Sequence, residues 1–286
     1  MRLNASTAAA VAGLALSAIA MAQNTGVVLV DGNARYQLGA STLGTGALNT
    51  SATTTGGGPT VDFRHQGVGT GSWGHDHVFN DWWWYRTDND TREFAIANAT
   101  SRTLNAANSI TYGYTLSGGL TGEITYTLTD TGPTSARIDQ TWVITNPGNT
   151  PVNLSMFNFM DTFLGNADAN DVINLTTPFE RMLVTDSVIT GISLDWWGVG
   201  AVRASAGGFS VVRAPLTNTL VDSLPNTTFP SGPADLAGAF QWDVVVPAGG
   251  SVSITSSKAL NDSAIPAPGA LALLGLGGLM VSRRRR

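Results

Sequence analysis

The chain has 286 residues, with 15 Lys and Arg against 20 Asp and Glu, 33 glycines and no cysteine. The missing thiols exclude disulfides, thiol nucleophiles, zinc–thiolate centres and iron–sulfur clusters together. Arg2 and Arg283–Arg286 lie at the two ends, so the body between them carries ten basic against twenty acidic residues, a surplus that repels phosphate backbones and argues against nucleic acid as a partner.

Arg2 precedes an apolar stretch over residues 8–20, which ends in the small-x-small sequence Ala20-Met21-Ala22. That is the layout of a secretory signal peptide over residues 1–22, with cleavage before Gln23. The body, residues 23–262, has about 240 residues and can bury a large core. It is rich in Gly, Thr, Ser and Asn and has one lysine, Lys258, which suits a β-rich extracellular domain.

The first strand is expected over residues 26–30, followed by a Gly- and Thr-rich exposed loop over residues 43–59. The segment Ser72-Trp73-Gly74-His75-Asp76-His77 then runs into Asp81-Trp82-Trp83-Trp84-Tyr85. On an extended strand His75 and His77 share a face and can ligate a metal with Asp81, or hydrogen-bond to backbone as loop histidines. Trp82 and Trp84 fall on one face, Trp83 and Tyr85 on the other. One pair can fill the core. The other is either buried by a second layer or exposed as a platform for sugar rings, with Trp196 and Trp197 as a second candidate platform. Asp88-Asn89-Asp90-Thr91 is an acidic turn.

Strands are expected at 93–98 and 110–116. Leu120 to Asp161 reads as a three-stranded meander, because Leu120, Ile124, Tyr126 and Leu128 alternate with Thr121, Glu123, Thr125 and Thr127. Ala136, Ile138, Trp142 and Ile144 alternate likewise with Arg137, Asp139, Thr141 and Thr145. Asp130-Thr131-Gly132-Pro133 and Asn146-Pro147-Gly148-Asn149 supply the turns. Next, Asp161, Asn166, Asp168, Asn170 and Asp171 space their oxygens like the start of a calcium loop, without the turn glycine or closing glutamate of an EF-hand.

Further strands are expected at 182–185, 199–204, 209–214, 238–246 and 251–257, the last two flanking a hairpin turn at Pro247-Ala248-Gly249-Gly250. Residues 216–236, with three prolines, read as a loop, and no amphipathic helix of three turns is evident. The expected fold is all-β, an antiparallel β-sandwich flanked by an N-terminal signal helix and a C-terminal hydrophobic helix.

The final segment, residues 263–286, contains Pro266-Ala267-Pro268, an apolar run over residues 270–281, and Arg283, Arg284, Arg285 and Arg286. An apolar run enters a bilayer while the arginines stay on the cytoplasmic side. The layout resembles the PEP-CTERM sorting domain of bacterial surface proteins, with Pro-Ala-Pro in place of Pro-Glu-Pro. The resemblance implies transient insertion in the inner membrane, recognition by an exosortase-type enzyme and a secreted or cell-surface destination.

No Gly-x-Ser-x-Gly, His-Glu-x-x-His or phosphate loop is present, and no catalytic residue is assigned. The function expected is therefore that of a non-catalytic surface or matrix protein without a cofactor, apart from calcium at the acidic loop, contacting exopolysaccharide or envelope components. The alternative is a secreted carbohydrate-active enzyme using Glu180, His75 or His77, since long antiparallel strands with scattered His and Glu also occur in the mutarotase-type supersandwich.

Overall fold

The computed structural model describes residues 23–39, 47–56, 58–69, 72, 74–166 and 169–261. In chain order the first strands are β1 (Val27–Asp31), β2 (Ala34–Leu38), β3 (Val61–His65), β4 (Val78–Thr87) and β5 (Phe94–Ala95). They are followed by β6 (Ser101–Ala106), β7 (Ser109–Thr115), β8 (Thr121–Gly132), β9 (Ser135–Thr145) and β10 (Val152–Thr162). Then come β11 (Asp171–Thr177), β12 (Arg181–Asp186), β13 (Ser193–Gly198), β14 (Arg203–Gly207) and helix α1 (Phe209–Thr217). β15 (Ser231–Ala234), β16 (Ala237–Val246) and β17 (Ser251–Leu260) complete the strands.

The strands form an antiparallel sandwich, as the alternation of apolar and polar residues requires. One layer has nine strands in the order β15-β11-β12-β13-β17-β9-β8-β7-β6. A second has five, in the order β14-β16-β10-β4-β5, and a small sheet, β1-β2-β3, packs beside them. Among the described residues, no helix is long and apolar enough to cross a membrane.

The expected hairpin between β8 and β9 forms, with Thr125 opposite Thr141 and Leu128 opposite Ile138. The third strand of the expected meander does not join it. β10 pairs with β4 and β16 in the five-stranded sheet, while β9 takes β17 as its other neighbour. The last two strands behave in the same way: β16 and β17 lie in different layers, so Pro247-Ala248-Gly249-Gly250 is an arch between sheets and not a hairpin turn. The two arches lie side by side, tied by Gly249 N–H to the Gly148 carbonyl at 3.0 Å and Asn146 N–H to the Gly250 carbonyl at 2.9 Å. A hairpin and an arch use the same turn residues, and alternation continues through both, so only the long-range pairing distinguishes them.

Residues 209–214, expected as a strand, begin helix α1. Phe209 packs edge-on against Phe159 at 5.6 Å between ring centroids, and Val212 and Leu216 are buried. The helix thereby lies over the outer face of the five-stranded sheet. Burial of this apolar stripe overrides the β preference of the Val211-Val212 pair. The expected exposed loop at 43–59 is only partly described. Within it Leu48 is buried, and the backbone carbonyls of Asn49 and Ala52 accept hydrogen bonds from Asn98 and Ala95.

The space between the large sheets is filled by aromatic rings. Trp83 stacks on Trp242 at 5.4 Å and meets Trp142 edge-on at 6.1 Å, and Trp196 meets Phe240 at 4.8 Å. Two glycines make room: a Cβ on Gly238 would lie 2.7 Å from the Trp196 ring, and one on Gly198 would lie 2.8 Å from the Phe240 ring.

A polar network crosses this core. Lys258 on β17 donates to Asp81 Oδ1 at 2.9 Å and Asn158 Oδ1 at 2.8 Å, both on the opposite sheet. Tyr36 and Gln140 donate to the other Asp81 oxygen, and Trp83 Nε1 donates to Gln140 Oε1 at 2.7 Å. Buried polar groups in this network thus have partners, as a low-dielectric interior demands.

Candidate functional site

The candidate site lies on the open face of the nine-stranded sheet. On β13, Leu194, Trp196 and Gly198 point into the core, so Ser193, Asp195 and Trp197 point outward. Pairing places Arg181 of β12 opposite Trp197 on one side and Ser257 of β17 on the other. Ser257 in turn lies opposite Asp139 of β9. One row across the sheet therefore reads Arg181, Trp197, Ser257, Asp139.

These side chains hold one another. Arg181 donates Nε to Asp195 Oδ1 at 2.8 Å and Nη2 to Asp195 Oδ2 at 3.0 Å, a bidentate pair that fixes the guanidinium plane. Trp197 Nε1 donates to Asp195 Oδ2 at 3.2 Å, and the guanidinium stands 5.1 Å from the Trp197 ring centroid. Asp195 is covered, whereas Trp197 keeps part of its ring exposed. Across the row, Asp139 accepts from Arg137 Nε at 3.0 Å and from the Ser257 hydroxyl, and remains partly open to solvent. Phe179, two residues before Arg181, has φ of +61°, an uncommon conformation for a bulky residue and one that tends to occur at functional sites.

The other aromatic candidates are core residues. Trp82, Trp83, Trp84, Tyr85 and Trp196 are all buried and form no platform; of the six candidates only Trp197 is partly exposed. Over Trp82–Tyr85, β4 is covered on both faces. Trp83 and Tyr85 face the nine-stranded sheet, while Trp84 packs on Phe159, which α1 caps, and Trp82 Nε1 donates to the Ile96 carbonyl at 2.9 Å.

The histidine group does not assemble around Asp81, which is engaged by Lys258 in the core. His77 is buried and accepts Gly165 N–H at Nδ1 at 3.1 Å. Its pKa is held down at about 3 by burial and by the nearby His75, Arg64 and His65. Asp76 between the two histidines is pushed up to about 8 by burial and by Asp62. Its Oδ1 accepts the N–H groups of Phe63 and Val78. Glu180 accepts Gly200 N–H at 3.2 Å, His77 accepts Gly165 N–H, and the His75 N–H donates to the Val68 carbonyl, so the three are bonded to different segments.

In the acidic loop, Asp168 and the side chain of Asn166 lie outside the described residues. Asp161 and Asp171 are buried, Asn170 is half-buried, and burial raises Asp171 to about 7. Among the described residues, no three His, Asp or Glu side chains are grouped to hold a metal ion. Ala20 and Ala22 of the signal, Pro266, Ala267, Pro268 and the terminal arginines also lie outside the described residues, whereas Gln23 begins them.

Sequence reasoning missed Arg137, Asp139, Arg181 and Asp195 as site residues. Alternation places Arg137 and Asp139 on an outward face, and two charged residues on a threonine-rich face were the available signal. Their approach to Trp197 depends on β17 lying between β9 and β13, which no local pattern reveals.

No family model matches the chain, and no curated protein does. Among solved structures it is similar to a bacterial glucoamylase complexed with acarbose, with 10% identity and a TM-score of 0.47 over 90% of this chain and 38% of that one. It is also similar to a galactose mutarotase-like protein from Lactobacillus casei, with 7% identity and a TM-score of 0.46 over 82% of this chain and 99% of that one. The chain thus spans well under half the length of the glucoamylase. The likeness is one of fold: an antiparallel sandwich similar to that of the mutarotase-like protein. The structures it resembles carry the names of sugar-processing or mutarotase-like proteins, which stands against the expected non-catalytic role.

Proposed function

We propose that this chain is an exported carbohydrate-active enzyme of the supersandwich type, taking a sugar on the open face of its nine-stranded sheet. The observation that carries this reading is the fixed grouping of Trp197, Arg181 and Asp195, with the Asp139 carboxylate two strands away on the same row. A sugar ring stacks on the exposed part of Trp197, and the Arg181 and Arg137 guanidiniums offer donors to its hydroxyl oxygens. The Asp195 carboxylate is already committed to Arg181 and Trp197, so its task is to hold those two groups rigid. Asp139, at ~10 Å from Trp197 by strand spacing, is the carboxylate left partly open, and takes or returns the proton at the reacting sugar oxygen.

The test measures anomer exchange of fresh aldose solutions by polarimetry and release of reducing ends from a panel of polysaccharides. Asp139→Asn should lower turnover by roughly 10²-fold or more while sugar binding persists. Trp197→Ala should lose binding as well. Activity untouched by both substitutions, or absent on every substrate tried, would overturn the reading.

The ends of the chain support a second part of the proposal, independent of the site. Residues 1–22 direct export, and Pro266-Ala267-Pro268, the apolar run and Arg283–Arg286 act as a sorting tail read by an exosortase-type enzyme at the membrane. Neutral residues in place of the four arginines should leave the tail uncleaved or the protein mis-sorted; unchanged surface display counts against it.

A further inference from the structure

The outward positions beside Trp197 form a regular array of hydroxyls. In register across five strands, β6, β7, β8, β9 and β17 present Thr103, Thr111, Thr125, Thr141 and Thr255 side by side. Neighbouring strands are ~4.8 Å apart, and the hydroxyls touch in pairs: Thr111 with Thr125 at 2.8 Å, Thr141 with Thr255 at 3.3 Å. This rung lies one row beyond the one that holds Ser257 and Asp139. On its far side the face sinks into a groove of about 350 Å³ lined by Ser101, Thr115, Thr121, Glu123, Val143 and Thr145. Val143, at 46% exposure, is an apolar surface within it.

We propose that this lane, from Trp197 over the threonine rung to the groove at Glu123 and Val143, binds one extended chain of a neutral polysaccharide. The inference rests on the reading of Trp197 as a sugar platform and names the substrate class of that site. Three features select the occupant. The lane is long: Val143 lies four residues along β9 from Asp139, ~13 Å by strand rise, farther than a monosaccharide on Trp197 reaches. Its lining is hydroxyl-rich, so it can donate to and accept from sugar hydroxyls along its length. At its Trp197 end the Arg181 and Arg137 guanidiniums are offset by Asp195 and Asp139, and the groove adds the Glu123 carboxylate, so the lane as a whole has no surplus of positive charge to attract an acidic polymer.

The experiment is calorimetric titration of the full chain with neutral linear oligosaccharides of one to six units from cellulose, starch and xylan. The expected result is affinity that rises about tenfold from dimer to hexamer on one series, as two or three added hydrogen bonds would give. Thr125→Val with Thr141→Val keeps side-chain shape and β preference, and should abolish that length gain while leaving dimer affinity unchanged. An unchanged denaturation midpoint confirms that this variant folds. Affinity independent of length, or a length gain that survives the double substitution, overturns the lane but leaves the Trp197 site standing. No binding in any series, or binding unaffected by Trp197→Ala, overturns both. Self-association of the chain abolished by the same threonine substitutions would assign the face to a second copy instead, and equally overturns the lane.

Discussion

The single lysine of the body, Lys258, is buried beside Asp81 and Asn158, with Trp196 at 5.6 Å. Burial lowers its pKa and the Asp81 charge opposes that shift, so the ammonium depends on its partner. Lys258→Met leaves Asp81 as a buried charge without its cation and should cost about 3–5 kcal/mol. The double variant with Asp81→Asn should be less destabilised than Lys258→Met alone, since both charges then leave the core. Urea denaturation of the three proteins checks the order, and equal loss in single and double variants would refute it. Asp76 supplies a pH dependence. Its folded pKa of about 8 lies above the ordinary carboxylate value, so between about pH 4 and 8 the folded state binds the extra proton and stability falls as pH rises. His77 acts with the opposite sign. Its folded value of about 3 makes stability rise with pH between about 3 and 6.5. Asp76→Asn keeps an acceptor for Phe63 and Val78 N–H and should remove the fall towards pH 8, seen as a flatter profile of denaturation midpoint against pH.

At the level of strands and helix, much of the local structure follows from alternation. The outward Thr121, Glu123, Thr125 and Thr127 and the inward Leu120, Ile124, Tyr126 and Leu128 stand where their period of two places them. Alternation does not show which strand lies next door, and the arches at residues 146–149 and 247–250 read locally as hairpins for that reason. The helix at Phe209–Thr217 escaped notice because two adjacent valines and Pro215 obscure a stripe of Phe209, Val212 and Leu216. The facing of Gly198 and Gly238 toward aromatic rings gives a sharp test. Gly238→Val would force its side chain into Trp196, with a Cβ already 2.7 Å from the ring, and should cost about 3 kcal/mol or more. Chemical denaturation measures it; a cost under 1 kcal/mol would mean the sheets can move apart.

Taken whole, the molecule separates a proposed address from a candidate site. The proposed signal sequence, Pro-Ala-Pro tail and arginine cluster are contiguous segments, so the proposal for them rests on residue order alone. The antiparallel β class was legible in the sequence and is seen in the fold, because each strand records its own buried face. The site was not. Trp197 stood among six candidate aromatics with nothing local to separate it from Trp196, its neighbour in the chain. Burial decided between them: β13 presents one ring to Phe240 across the core and the other to solvent beside Arg181. Asp139 reaches the same row from 58 positions earlier only because β17 is inserted between β9 and β13. Period and composition act along the chain and can be read there, whereas which strands become neighbours depends on packing between distant segments, which only the folded sandwich reveals.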